Sequence, residues 1–96
     1  MPLKVLHVED EADIREVAAL ALGLDPAVEL TSAASGPEAL ERLQALQPDV
    51  VLLDVMMPGM DGPSVLKELR GRAGFETTPV IFMTARAQGS EVERYL

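Results

Sequence analysis

Short runs of apolar residues alternate along the chain with segments whose apolar residues recur at helical spacing. The continuous runs predict four strands: 3–8, 27–34, 48–54 and 79–85. The segments after them predict four helices: 12–24, 35–46, 62–72 and 89–96. Ser35 and Glu38, with Pro37 in the first turn, form a capping-box pattern that supports the start of the second helix.

The order of these elements determines the class of fold. Strands that alternate with helices through short connections form right-handed βαβ units, which build a parallel sheet with helices on both faces. The third strand is apolar until its last residue, as expected for a strand that is covered on both faces. We therefore expect the 96 residues to form one α/β domain, 1–96, around a doubly wound parallel sheet.

Composition argues against several classes of function. The net charge is −8 and aromatic residues make up 3% of the chain, so it offers neither a basic face for duplex nucleic acid nor aromatic platforms for single strands. No apolar run approaches the ~18 residues of a membrane span, and the N-terminus lacks the pattern of a signal peptide. There is no cysteine, which fits a reducing compartment. We expect a cytoplasmic protein without direct nucleic-acid or membrane partners.

Polar residues interrupt the apolar pattern where the strands end. Glu9 and Asp10 follow the first strand, Asp54 ends the third, and Thr84 and Ala85 end the fourth. In doubly wound sheets, ligands bind at the carboxyl ends of the strands. If the first and third strands are neighbours, three carboxylates converge there and repel one another unless a cation is present, and Mg²⁺ (or Mn²⁺) is the natural candidate. The alternative is that Asp10 caps the first helix and Asp54 is an ordinary turn residue.

Two other residue types near these strand ends have a structural explanation. His7 lies within the first strand, and we expect it to be a buried strand residue rather than a ligand. Three methionines follow Asp54 without any cysteine or further histidine beside them, so local packing explains them better than soft-metal binding. They are Met56, Met57 and Met60.

Three segments together resemble the receiver domain of response regulators in two-component signalling. They are HVEDE at 7–11, LLDVMMPGMDG at 52–62 and PVIFMTA at 79–85. The resemblance runs from Leu3 to the end of the chain. It implies a flavodoxin-like sheet with strand order 2-1-3-4, in which the family's fifth strand and fifth helix are missing.

The resemblance also implies roles for the acidic residues. Asp54 matches the phosphoacceptor, whose carboxylate attacks the phosphorus of a phosphohistidine. Asp10 matches the direct Mg²⁺ ligand and Glu9 a neighbour that reaches the ion through water, while Met56 contributes only its backbone carbonyl. The residues of the turn, including Asp61 and Gly62, are expected to act through ordinary turn chemistry.

The remaining implied roles concern switching and partners. Thr84 matches the hydroxyl that moves to hydrogen-bond the phosphoryl group, and Ala85 matches a small residue that leaves room for it. The implied partners are a sensor histidine kinase or histidine phosphotransfer protein, and a downstream effector or output domain. The chain is then a phosphoacceptor rather than an enzyme, with at most weak Mg²⁺-dependent self-phosphorylation and self-dephosphorylation.

The chain departs from the family pattern at its C-terminal end. The lysine that pairs with the phosphoryl group in the family lies on the fifth strand, and neither Lys4 nor Lys67 stands in the corresponding place. We therefore expect a truncated chain with an open fourth-strand edge. We also expect too much apolar surface on the first helix, where Leu20 and Leu22 flank the apolar stripe on opposite sides. Self-association through these two regions follows as a prediction.

Two other functions remain as alternatives. One is a pseudo-receiver or interaction fragment that does not take phosphate efficiently because the lysine is absent. The other is a phosphohydrolase with an aspartate nucleophile, although such enzymes usually carry a second acid where this chain has Met56.

Overall fold

The computed structural model describes residues 2–83. Its strands are β1 (Leu3–Val8), β2 (Val28–Ala33), β3 (Val50–Asp54) and β4 (Val80–Met83). Its helices are α1 (Ala12–Gly23), α2 (Gly36–Leu46) and α3 (Gly62–Arg70). The predicted elements in this range are all present, with bounds that differ by at most two residues. The predicted helix 89–96 lies outside the described residues.

The four strands form one parallel sheet in the order β2-β1-β3-β4, as the sequence predicts. Val8 is paired with Ala33 on one side and with Leu53 on the other, and Asp54 is paired with Met83. The carboxyl ends of the strands therefore meet at one edge of the sheet. The chain moves in opposite directions from β1 to β2 and from β2 to β3, so right-handed connections place α1 on one face and α2 on the other.

Caps fix the start of α2 and α3. Ser35 Oγ accepts a hydrogen bond from the Glu38 N–H at 3.3 Å, as the capping-box pattern predicts. The Glu38 side chain reaches one residue further back than the pattern requires and accepts from the Ala34 N–H at 3.0 Å. This backbone donor and the nearby arginine charges lower the pKa of Glu38. Asp61 caps α3 by accepting from the Ser64 N–H at 2.9 Å.

The principal core lies between the sheet and the α2–α3 layer. Alternate residues of β1 and β3 face this layer, and Phe75 from the loop after α3 is buried with them. The buried cluster consists of Leu6, Val8, Ala33, Ala39, Leu40, Leu43, Val51, Leu53, Met57, Val65, Leu69 and Phe75. Arg70 holds the connection to β4 because its Nη1 donates to the carbonyls of Phe75 and Thr78, at 3.1 and 2.6 Å.

The opposite face of the sheet is less completely covered. Helix α1 has no buried residue, and Val17, Leu20 and Leu24 are 65%, 68% and 86% exposed. Leu20 thus confirms the expectation of surplus apolar surface, whereas Leu22 is half-buried. Ile81 on β4 is 54% exposed and belongs to this same face.

We expect the exposed side chains of α1 and β4 to drive self-association, because each large aliphatic side chain left in water forgoes roughly 1.5–3 kcal/mol of burial. Sedimentation velocity over a range of concentrations should show a reversible shift to larger species. The double variant Val17→Gln/Leu20→Gln should reduce that shift, while Ala45→Gln on the exposed side of α2 should not. A wild-type chain that stays monomeric at high concentration contradicts this prediction.

His7 is a buried residue of β1, as the sequence predicts, with 1% exposure. Its row across the sheet continues through Leu52 to Ile81, so its side chain lies on the α1 face. Within residues 2–83, its Nδ1 has no hydrogen-bond partner. Burial lowers the pKa of His7, the Glu9 charge raises it in part, and the Arg15 charge lowers it further.

A lowered histidine pKa makes stability depend on pH. Below the ordinary value of 6.5, the unfolded chain takes up a proton that folded His7 resists, so the free energy of unfolding should fall as the solution is acidified. Urea unfolding in chelator-treated buffer, between pH 7 and the ordinary glutamate pKa of 4.5, measures this loss. His7→Leu should flatten the dependence, and an equal loss in wild type and variant would rule out His7 as its source.

A carboxylate cluster at the carboxyl edge of the sheet

Three carboxylates come together where β1 and β3 end. The pairing of Val8 with Leu53 places the next residues, Glu9 and Asp54, beside each other at the edge. One carboxylate oxygen from each of Glu9, Asp10 and Asp54 lies within 4.8 Å of the other two. Glu9 and Asp54 are each only 2% exposed, and Asp10 is half-buried.

Backbone donors hold two of these carboxylates in place. Glu9 Oε2 accepts from the Glu11 N–H at 3.1 Å, and Asp54 Oδ1 accepts from the Met56 N–H at 3.3 Å. The N-cap of α1 is Glu11, without a side-chain capping bond, so the alternative in which Asp10 caps this helix is wrong. The cluster is therefore an arrangement of the tertiary structure rather than local capping chemistry.

The donor set suits a hard divalent cation. Oxygen ligands from carboxylates are those that Mg²⁺ and Ca²⁺ prefer. Like charges at this separation, removed from water, repel one another unless a cation compensates them. The side chain of Met56 is 47% exposed and Met57 is buried at 8%. Packing therefore explains Met57 and the half-buried Met60, as expected, but the packing explanation is wrong for the Met56 side chain.

Gly62 brings the start of α3 against the residue that carries the third carboxylate. Its N–H donates to the Val55 carbonyl at 2.9 Å. A Cβ at this position would lie 2.5 Å from the Asp54 carbonyl oxygen and 2.9 Å from the Val55 Cα. The sequence suggests only turn chemistry at Gly62, because nothing local reveals how closely the two segments approach.

Thr84 and Ala85, the remaining predicted site residues, lie outside the described residues. The residue before them, Met83, accepts a hydrogen bond from the Val55 N–H at 3.1 Å. The end of β4 is thus joined to the residue that follows Asp54.

The fold and the site together define the class of this protein. It is a doubly wound α/β protein, and its acidic pocket lies between β1 and β3, where the strand order reverses. Residues 5–96 match the family described as the response regulator receiver domain. The chain belongs to this receiver-domain family of two-component signalling, as its motifs predict.

Named relatives share most of this chain but extend well beyond it. Transcriptional regulatory protein CseB of Streptomyces coelicolor is 43% identical over 92% of this chain and 36% of its own length. Response regulator Rre1 of Synechocystis is 37% identical over 98% of this chain and 41% of its own length. A protein-glutamate methylesterase/protein-glutamine glutaminase of Dechloromonas aromatica is 38% identical over 90% of the chain and 23% of its own. The chain therefore spans less than half of each.

Solved structures show the same fold. Chemotaxis protein CheY4 of Vibrio cholerae superposes with a TM-score of 0.85 at 31% identity, covering 97% of this chain and 77% of that one. The N-terminal domain of a receiver protein from Methanoculleus marisnigri gives 0.80 at 34% identity, covering 96% and 75%. These likenesses confirm the predicted flavodoxin-like class. No helix within residues 2–83 is long and apolar enough to cross a membrane.

Replacing Gly62 with alanine should disturb the edge of the sheet, because the new Cβ meets backbone atoms that cannot move aside alone. We expect Gly62→Ala to lower the free energy of unfolding by about 1–3 kcal/mol, the usual cost of overpacking. Gly23→Ala is the matched control: nothing lies within 4 Å of its Cβ, and at the last residue of α1 alanine should stabilise the helix by less than the roughly 1 kcal/mol found in a helix interior. Urea unfolding of both variants decides the matter, and equal stabilities would refute the close approach.

Proposed function

We propose that this chain is a phosphoacceptor, in which Asp54 takes a phosphoryl group from a phosphohistidine with the help of Mg²⁺ or Mn²⁺. The observation that carries this proposal is the cluster itself: three carboxylates within 4.8 Å, two of them almost fully buried. A structural role alone does not account for such a concentration of buried charge, since burying unpaired charges is strongly unfavourable.

Asp10, Glu9 and Asp54 would hold the cation, and the Met56 carbonyl would complete the set. The bound ion supplies charge neutralisation for the carboxylates and for the transferred phosphoryl oxygens. The chain's own contribution is positioning. The Met56 N–H engages Asp54 Oδ1 and so fixes the plane of the carboxylate relative to the incoming group.

In the proposed transfer, a carboxylate oxygen of Asp54 forms a bond to phosphorus as the phosphorus–nitrogen bond of the phosphohistidine breaks. The electron pair of that bond returns to the imidazole of the partner, and the product on this chain is an acyl phosphate. Such a transfer depends on in-line positioning and electrostatic stabilisation rather than on further covalent chemistry. It therefore suits a site made of fixed carboxylates and backbone donors.

Switching follows from the charge that the acyl phosphate adds. We propose that the Thr84 hydroxyl donates a hydrogen bond to a phosphoryl oxygen and that Ala85 leaves room for the group. A new anion with strong acceptor oxygens can bias a segment that has two arrangements. The bond between Val55 and Met83 supports this proposal, because it already links Asp54 to the strand that leads to Thr84.

The proposed partners are a sensor histidine kinase or histidine phosphotransfer protein, and an effector or output domain that reads the switched state. The transcriptional regulator and methylesterase relatives are much longer than this chain, which supports an output that lies outside residues 1–96. We place this exchange in the cytoplasm.

Acetyl phosphate tests the phosphoacceptor directly. With Mg²⁺ present, intact-mass spectrometry should show one added phosphoryl group, and the adduct should be labile to hydroxylamine as an acyl phosphate. Asp54→Asn or chelation of the metal should abolish it. Asp49→Asn, at the opposite end of β3, should leave it unchanged.

The same experiment separates the phosphoacceptor from the pseudo-receiver. Wild-type chain that binds the metal but gains no mass at saturating acetyl phosphate would refute the proposal and favour an interaction fragment. Release of free phosphate from many unrelated phosphoesters would instead favour a phosphohydrolase.

A further inference from the structure

Arg15 reaches back from the first turn of α1 to the loop that carries two of the three carboxylates. Its Nη1 donates to the Glu9 carbonyl oxygen at 2.7 Å, a short bond made in a partly buried position. Its own N–H donates to the Glu11 carbonyl at 3.1 Å as part of the helix. The guanidinium therefore folds over the segment 9–11 from the helix that follows it.

Glu9 is held at three separate atoms as a result. Its N–H donates to the Ala33 carbonyl at 3.0 Å, its carbonyl accepts from Arg15, and its Oε2 accepts from the Glu11 N–H. The first of these bonds joins two backbone groups, and the third joins a backbone N–H to the Glu9 carboxylate. The bond from Arg15 is made by a side chain, so a substitution can remove it without altering the backbone.

The charge of Arg15 extends its influence beyond this one bond. Burial is the main cause that lowers the pKa of His7, and the Ala34 N–H is the main cause that lowers the pKa of Glu38; the Arg15 charge adds the smallest contribution to each. Helix α1 has no fully buried residue, although Ile14, Ala18 and Leu22 are half-buried. The polar contact with the loop therefore adds a direct link between this helix and the segment after β1.

We propose that Arg15 is a positioning residue of the acidic pocket: it fixes Glu9 and Asp10 in the geometry that receives the cation and offsets part of their repulsion. This inference rests on the proposed function, because it assigns Arg15 to the same metal site. Arginine suits the task since its guanidinium stays charged and presents several donors in a fixed geometry.

Removing such an outer partner of a metal site typically weakens metal binding by about 10–100-fold. We therefore expect Arg15→Gln to weaken Mn²⁺ binding at least about tenfold. Arg15→Lys keeps the charge but loses the planar fork, and it should weaken binding by a smaller, measurable factor. The control is Arg42→Gln, which removes the same charge from an exposed ion pair with Glu38 on α2.

Mn²⁺ titration followed by electron paramagnetic resonance measures the affinity of the full chain, after circular dichroism has shown that each variant is folded. Hydrogen exchange of the Glu11 amide in metal-free protein is the second readout. This amide should exchange faster in Arg15→Gln than in wild type or Arg42→Gln, because the loop has lost its side-chain anchor.

Wild-type affinity in Arg15→Gln would overturn the inference. So would equal weakening in Arg15→Gln and Arg42→Gln, because Arg42 pairs with Glu38 on α2 and loss of a positive charge by itself favours binding of a cation. If Arg15→Gln does not fold, Arg15→Lys decides, and unchanged affinity there overturns the inference. A wild-type chain that binds no Mn²⁺ overturns both this inference and the proposed function. Binding without phosphorylation of Asp54 overturns the phosphoacceptor and leaves the test of Arg15 intact.

Discussion

Repulsion among three carboxylates is the constraint on which the rest of this structure depends. Glu9 and Asp54 are almost fully buried, and Asp10 is half-buried beside them, so bulk water screens them poorly. Charges in this position are stable only when donors and cations compensate them. The N–H groups of Glu11 and Met56 provide donors, and the proposed divalent ion would supply the larger compensation. The fold therefore has to place the three carboxylates beside one another at the edge of the sheet, outside the apolar core.

Parallel strand pairing solves the first part of that problem. Because β1 and β3 are neighbours, the residues at their ends are neighbours too. The regular pairing of the strands is therefore enough to bring the acidic residues together. Close packing then holds the backbone at this edge of the sheet in place. Leu53, the residue before Asp54, has no measurable exposure, and Gly62 allows α3 to press against the Asp54 backbone. The packing therefore fixes the main chain, and local hydrogen bonds orient the carboxylates.

The two faces of the sheet are stabilised in different ways. Helices α2 and α3 bury a continuous apolar cluster against one face, where the hydrophobic effect dominates. Helix α1 covers the other face without a buried residue of its own, and the bond from Arg15 to Glu9 links it to the sheet. The helix also leaves apolar surface, including Leu20, available to other contacts.

Much of this protein follows from the sequence by itself: the strands and helices from apolar periodicity, the cap of α2 from Ser35, and the acidic edge from residues placed where strands end. The elements and the cap are local features that periodicity and spacing report directly, whereas the acidic edge also requires that β1 and β3 be neighbours. The space required at Gly62, the exposure of Met56 and the contact of Arg15 with the loop were decided only by the tertiary structure. Each depends on the distance between segments that the sequence separates, and that distance is set by strand pairing and by the packing of helices on the sheet.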